Sequence, residues 1–535
     1  MSPSHNRRPR VAALVATLAV TTLISGCSAD PSGQDDSSPQ AGGTAIVALD
    51  FSVTCLDPQQ TTGFAALLPV QHAVDQLTYQ NPDTGKIEPW LATDWTIDEH
   101  STTFTFTIRD GVTFSDGSNL TADVVARNIE EIIALGALSP LGTSYFAGFD
   151  RAEVDGDQVV ISFTEPNAQF LQATSTTTLG ILSASSFDAT PEQRCAGEYS
   201  GSGPFTLTSF TPDSEVVIER RSDYDWAPTS AAHTGAALLE RVEFPIVPEA
   251  GVRTGLLGSG QADAVMGVFR EDEAGFDGNG HWLLARANPG FTNSLIVNGH
   301  SAILTDPQVR EALQIAIDRQ EVVDTVLSST ASPATGLLTS TSPFATDFHD
   351  LLALDVDRSR QLLDDAGWTI GDDGIRTKNG TRLSLRVAHF PVQSELIALL
   401  NQQLHTVGAE LVSQIIDAGA WEKIIAGEGD HDLLQRNLTR ADPDVLRNQL
   451  GSAYSNFLYL DQPGELDRLL EAQAAATDDQ QRQDLVDQVQ TLVLGENLVW
   501  PISEQNQVYA GNTDLQGVTL DSASRLNLYG AWLED

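Results

Sequence analysis

Residues 79–129, YQNPDTGKIEPWLATDWTIDEHSTTFTFTIRDGVTFSDGSNLTADVVARNI, change hydrophobic period within one segment. In 102–118, Phe104, Phe106 and Ile108 alternate with threonine before the turn signal Asp110-Gly111, and this spacing predicts a hairpin. In 120–133 the apolar positions Val124, Ile129 and Ile132 or Ile133 recur at helical spacing. Thr121 is placed to cap that helix and Asp123 lies in its first turn. A helix following a short-strand region is the pattern of a mixed α/β chain.

The same alternation continues outward. The segment 44–52, TAIVALDFS, reads as a strand. In 304–327, Asp306 caps and Pro307 suits the first helical position, with Val309, Leu313 and Ala316 or Ile317 forming an apolar stripe. Asp318 and Glu321 stand at capping-box spacing and open another helix. A further helix over 357–368 ends at Gly367, where a left-handed residue is wanted. Residues 382–416 read strand, helix, strand. That order predicts a parallel crossover, with the Phe390-Pro391 loop at the carboxyl end of its first strand, where open α/β sheets place ligands.

The chain has 535 residues, 41% of them hydrophobic, enough for large cores and more than one domain. A net charge of -44, with no clustered basic face, argues against nucleic acid as a partner. The plain reading of the acidity is solubility. Arg7, Arg8 and Arg10 precede an apolar segment, Val11 to Ile24, too short to span a bilayer and suited to a signal peptide, residues 1–26. Ile24-Ser25-Gly26-Cys27 resembles a bacterial lipobox, which makes Cys27 the expected lipidation site. Residues 27–43 are too poor in apolar side chains to order themselves and read as a tether. The remaining cysteines, Cys55 and Cys195, are expected to form a disulfide in an oxidising extracytoplasmic space.

Motifs for catalysis are missing from the sequence. There is no Gly-x-Ser-x-Gly elbow, His-Glu-x-x-His helix, Cys-x-x-Cys pair or phosphate loop, and the ten histidines lack ligand spacing. No enzyme activity, cofactor or metal is expected. A carboxylate pair brought together only by folding keeps a secreted hydrolase as the alternative, and a surface adhesion protein is a third reading.

Residues 79–129 also resemble the hallmark segment of the family 5 extracellular solute-binding proteins, the oligopeptide, dipeptide and nickel receptors of ABC importers. Later blocks resemble that family in the same order: GSGPFTLTSF from 201, ERRSDYDW ending at 226, NSLIVNG from 293, RQLLDDAGW at 360–368, RADPDVL at 440–446 and VWPISEQNQVYA at 499–510. The resemblance runs from about Thr44 to the C-terminus. It implies a two-lobed, periplasmic-binding-protein-like α/β fold (class II, the large cluster C type). Lobe I would comprise 44–60, 195–289 and 503–535, with an extra subdomain over 61–194, and lobe II would comprise 290–502. It further implies a monomer that closes on a peptide or small organic solute, serves a permease and sits on the extracytoplasmic face of the cell membrane through its lipid.

Peptide-binding relatives hold the peptide's α-amino group with an Asp four residues before the Pro of an Asp-Pro motif. Here that position is Thr439, a neutral hydroxyl, flanked by Arg436, Asn437 and Arg440. A ligand bearing a carboxylate or phosphate therefore stands beside a peptide as a candidate. Trp421, Tyr145 and Phe146 complete the expected ligand-binding set, against the ordinary alternative that each packs in a core. Asp57 and Asp442 are read as turn or helix caps.

Overall fold

The computed structural model describes residues 39–534 apart from position 279. The expected leader 1–26, Cys27 and the tether up to residue 38 lie outside the described residues. Gly42 and Gly43 are already tied in, through Gly42 N to Leu238 O and Glu240 N to Gly43 O.

Three principal sheets organise the chain. The first has seven strands, in spatial order His281–Ala287, Asn506–Asn512, Ala264–Met266, Thr44–Ala48, Arg241–Pro245, Glu215–Arg220 and Phe205–Thr211. Thr44–Ala48 runs parallel to both neighbours, and its alternate residues feed two cores, Ala45 and Val47 on one side and Ala48 on the other. Helices Ala250–Gly258 and Arg270–Phe276 contribute Leu257 and Phe276 to the second of these cores.

The second sheet has five strands, ordered Glu410–Ile415, Ser384–His389, Leu433–Thr439, Gly290–Val297 and Val499–Ser503. All 8 residues of Gly290–Val297 are buried, as expected of a central strand covered on both faces. Successive residues alternate sides: Leu295, Val387 and Leu433 join one core, Ile296, Ala388 and Leu434 the other. Helices Pro307–Gln314, Arg319–Val326 and Ser394–His405 cover the first face. Helices Glu465–Ala475 and Asp479–Gly495 help cover the second.

The expected caps form. Asp306 accepts from Gln308 N at 3.0 Å, Asp318 from Glu321 N at 2.9 Å, and Thr121 Oγ1 from Val124 N at 3.3 Å, but the return half of the Asp318–Glu321 box is taken by Gln403, whose Oε1 accepts from Asp318 N. Gly367 has φ +83°. The strand, helix, strand unit of 382–416 is parallel as read.

The expected hairpin is not what forms. Gly111 does turn, with φ +81°, but Thr103–Ile108 pairs with the preceding Ala92–Ile97 and with Gln158–Phe163. The arm after the turn makes one isolated bridge, Thr113 to Asn119. Period 2 identified the strand correctly and its partner incorrectly, because alternation fixes which face is buried and not which strand lies alongside. Thr103–Ile108, those two partners and Phe149–Asp155 make the third, four-stranded sheet. Phe104 and Phe106 point into a shared cluster with Phe163 and Phe170.

The chain passes from the first sheet to the second between Ala287 and Gly290, and returns between Ser503 and Asn506. The two passages are bonded to each other, Asn288 N donating to Gln505 O at 2.7 Å. Cys55 and Cys195 form a disulfide across a sequence separation of 140, beside the buried ion pair of Arg194 with Asp57 at 2.8 Å. Among the described residues no helix is long and apolar enough to cross a membrane.

Candidate ligand cavity

A cavity of about 840 Å³ opens where the sheets meet. Its walls come from Tyr79 to Asp83 and Trp90, from Ser175 to Thr178, from Leu284 to Arg286 of the first sheet, and from Thr439 to Ala441 at and just past the end of a second-sheet strand. Further walls are the C-terminal segment, Gly517 to Gly530, and residues of 67–76, 141–145 and 224–232.

Glycines set part of this geometry. A Cβ on Gly201 would stand 2.1 Å from Ala73 O, and one on Gly203 would stand 2.5 Å from His72 O, so the GSGP loop lies directly against the backbone of 72–74. That contact fixes His72. Its Nδ1 donates to Leu68 O at 2.9 Å and its Nε2 accepts from Leu528 N at 3.0 Å, one donor and one acceptor as a neutral imidazole provides. Burial pushes its pKa down to about 4, so the ring stays neutral. With Gln71 Nε2 donating to Leu526 O at 2.9 Å, His72 fastens the C-terminal wall in place.

Arg286 secures the adjoining wall, donating to Pro82 O at 2.6 Å and Asp521 O at 3.0 Å. Asp521 accepts from Ala523 N and Arg525 N and stands 3.7 Å from Arg525 Nη1. Behind cavity-lining Tyr224, Trp226 Nε1 donates to Asp75 at 2.8 Å. Burial pushes the Asp75 carboxyl up to about 7, against the opposing pull of the Trp226 bond and the Arg221 charge.

Of the ligand-binding residues expected from sequence, Tyr145, Thr439 and Arg440 line this cavity. Arg440 lies 4.4 Å from the Tyr145 ring centroid and donates from Nη2 to Ser144 Oγ at 2.7 Å, joining the end of the second-sheet strand Leu433–Thr439 to the helix Pro140–Tyr145. Four expected residues stand elsewhere. Arg436 lies on the strand face that carries Leu434 and Leu438, held over Trp421 at 4.8 Å and Phe457 at 5.4 Å, with Nε donating to Gln449. Burial lowers its pKa to about 10. Trp421 is engaged there, against Arg436 and Phe390. Asn437 bonds to Gln505 at the passage between sheets. Phe146 packs with Phe149, Phe163 and Phe170 in the aromatic core. The Phe390-Pro391 loop also lies away from the cavity.

Arg440 escapes the fate of Arg436 because the strand ends before it. Its N–H bonds to Pro289 O, and Gly290, with φ +134°, leaves no room for a side chain beside Leu438 O and Arg440 N. Asp442 is not merely a cap. It forms a buried bidentate pair with Arg482 at 2.6 and 2.8 Å that anchors this segment. Tyr79, Tyr529, Arg286 and Arg525 were not legible in the sequence, since no local motif marks them.

The model of the "Bacterial extracellular solute-binding proteins, family 5 Middle" matches residues 86–456. The chain belongs to that family. As a family 5 solute-binding protein it is a binding receptor and not an enzyme, and its two-lobed α/β fold is the family's. It is 27% identical to the "Probable di/tripeptide-binding protein 5" of Pseudomonas aeruginosa, over 91% of this chain and 95% of that one. It is 23% identical to the glutathione-binding protein GsiB of Shigella dysenteriae, over 78% and 76%. The crystal structure of NikA from Brucella suis in complex with Fe(III)-EDTA superposes with a TM-score of 0.79, covering 92% of this chain and 100% of that one at 20% identity. Among the described residues no cluster of three or more His, Cys, Asp or Glu is arranged to hold a metal.

Proposed function

We propose that this receptor captures a peptide or small peptide-like organic solute between two hinged lobes and delivers it to the permease of an ABC importer. The signal peptide 1–26 would export it, and a lipid on Cys27 with the tether behind it would hold it on the extracytoplasmic face of the membrane near its permease. Lobe I would be assembled from 44–60, 195–289 and 503–535, with 61–194 as its subdomain and 290–502 as lobe II. One observation carries the reading: the cavity of about 840 Å³ draws its walls from both sheets and the subdomain, and it falls within the size range of small-molecule sites. Family membership and relatives named for di- or tripeptides and for glutathione support the peptide-like solute.

Trp90 and Tyr79 in the wall make intrinsic fluorescence the direct assay. A saturable change on titrating short peptides is expected, with unaltered peptide recovered afterwards. Emission indifferent to peptides, opines, sugars and metal chelates alike would defeat the receptor reading. Cys27→Ser is expected to release the protein from membranes into the medium, and retention in the membrane fraction would defeat the anchor.

A further inference from the structure

A chain with a net charge of -44 would be expected to line its cavities with carboxylates. The charged side chains lining this one are instead Arg286, Arg440 and Arg525 against Asp83 and Asp521. Arg525 and Asp521 face one another at 3.7 Å. Arg286 is held by two carbonyl oxygens and feels the charges of Asp521 and Asp83. Arg440 has no such company.

Only 5% of Arg440 is exposed, and Ser144 Oγ is the one side-chain acceptor it reaches among the described residues. Its Nε has no hydrogen-bond partner among the described residues. The acids next to it in sequence are taken: Asp442 by Arg482 and Asp444 by Arg447. A buried guanidinium whose company is one neutral acceptor and the face of the Tyr145 ring has no anionic partner, and in a cavity wall that partner comes from what the cavity holds. Thr439, beside it, offers an ammonium no charge.

On the receptor reading above, the geometry points to Arg440 as an anion receptor, so that the solute is a carboxylate-bearing molecule docked acid-end first against this guanidinium. The same side chain already reaches from the second sheet's lobe to Ser144 and Tyr145 of the subdomain. The solute's acid therefore binds the residue that bridges the cleft, and charge recognition and closure are coupled through one guanidinium.

The test uses the full chain and three tripeptide pools: unmodified, N-acetylated and C-amidated, with citrate and malonate as non-peptide acids. Unmodified and N-acetylated pools are expected to bind alike. The C-amidated pool is expected to bind about 30-fold more weakly, equivalent to about 2 kcal/mol. Arg440→Gln should abolish the preference for the acid while Arg440→Lys keeps part of it. The amide comparison needs only the wild-type protein, so a folding defect in a variant cannot mask the answer. Binding confined to citrate or malonate and lost in Arg440→Gln supports the same chemistry with a non-peptide source. Equal binding of acid and amide, or an acid preference that survives Arg440→Gln, overturns the assignment. A neutral or cationic solute that co-purifies and binds Arg440→Gln as tightly as wild type also overturns it, and leaves the receptor reading standing. If nothing binds and nothing co-purifies, the receptor reading itself fails and this inference fails with it.

Discussion

Asp75 is fully buried, and its Oδ2 accepts from Trp226 Nε1 at 2.8 Å. Burial raises its carboxyl to about 7 from an ordinary 3.8, so folding favours the protonated acid. The stability this contributes is complete below the unfolded value near 4 and is lost as pH rises through 7. Between pH 5 and pH 8 the wild type should lose about 2 to 3 kcal/mol from this group alone. Asp75→Asn keeps an oxygen for the indole N–H and cannot ionise. The variant should therefore gain about that much relative to wild type on going from pH 5 to pH 8. Urea unfolding followed by tryptophan emission, run on both proteins at each pH, gives the difference directly. Contributions from the other carboxylates of this acidic chain are common to both proteins and cancel. A difference that stays flat with pH, or that moves in favour of the wild type at pH 8, refutes the argument.

The Asp442–Arg482 pair is buried on both sides, so Arg482→Met leaves a lone buried carboxylate and should cost about 3 to 5 kcal/mol. Pairing it with Asp442→Leu should restore much of the loss in the same urea assay, and an undamaged single variant would show that the pair does not anchor the segment. The Cys55–Cys195 bond closes a span of 140 residues, which corresponds to about 5 kcal/mol on the chain-entropy account. Replacing both cysteines by serine should lower Tm in proportion, and an unchanged Tm would count against that account.

Much of the fold was legible because its signals are local. Asp306 and Pro307 announce the start of one helix, Gly367 the end of another, Val356–Asp365, and the strand, helix, strand order of 382–416 leaves a parallel crossover as the available solution. The site was legible only in part. Tyr145 and Phe146 are neighbours of similar chemistry, yet one lines the cavity and the other the aromatic core. Arg436 and Arg440 share a segment, and what separates them is where the strand stops, a matter settled by Gly290 on the adjacent strand. The C-terminal wall carries no motif. It is positioned by His72 and Gln71, which lie more than 450 residues away in sequence, and local pattern cannot register a contact of that separation.

The paired passage between the sheets has a mechanical meaning. Ala287 faces Asn506 on one side of it and Asn293 faces Ser503 on the other, with the Asn288 to Gln505 bond between. A ribbon stitched in this way folds across its own width easily, while sliding one edge past the other would tear the stitches. Any movement of one half of the molecule against the other would thereby be confined to a single swing, and one pair of spin labels set across the mouth would test it.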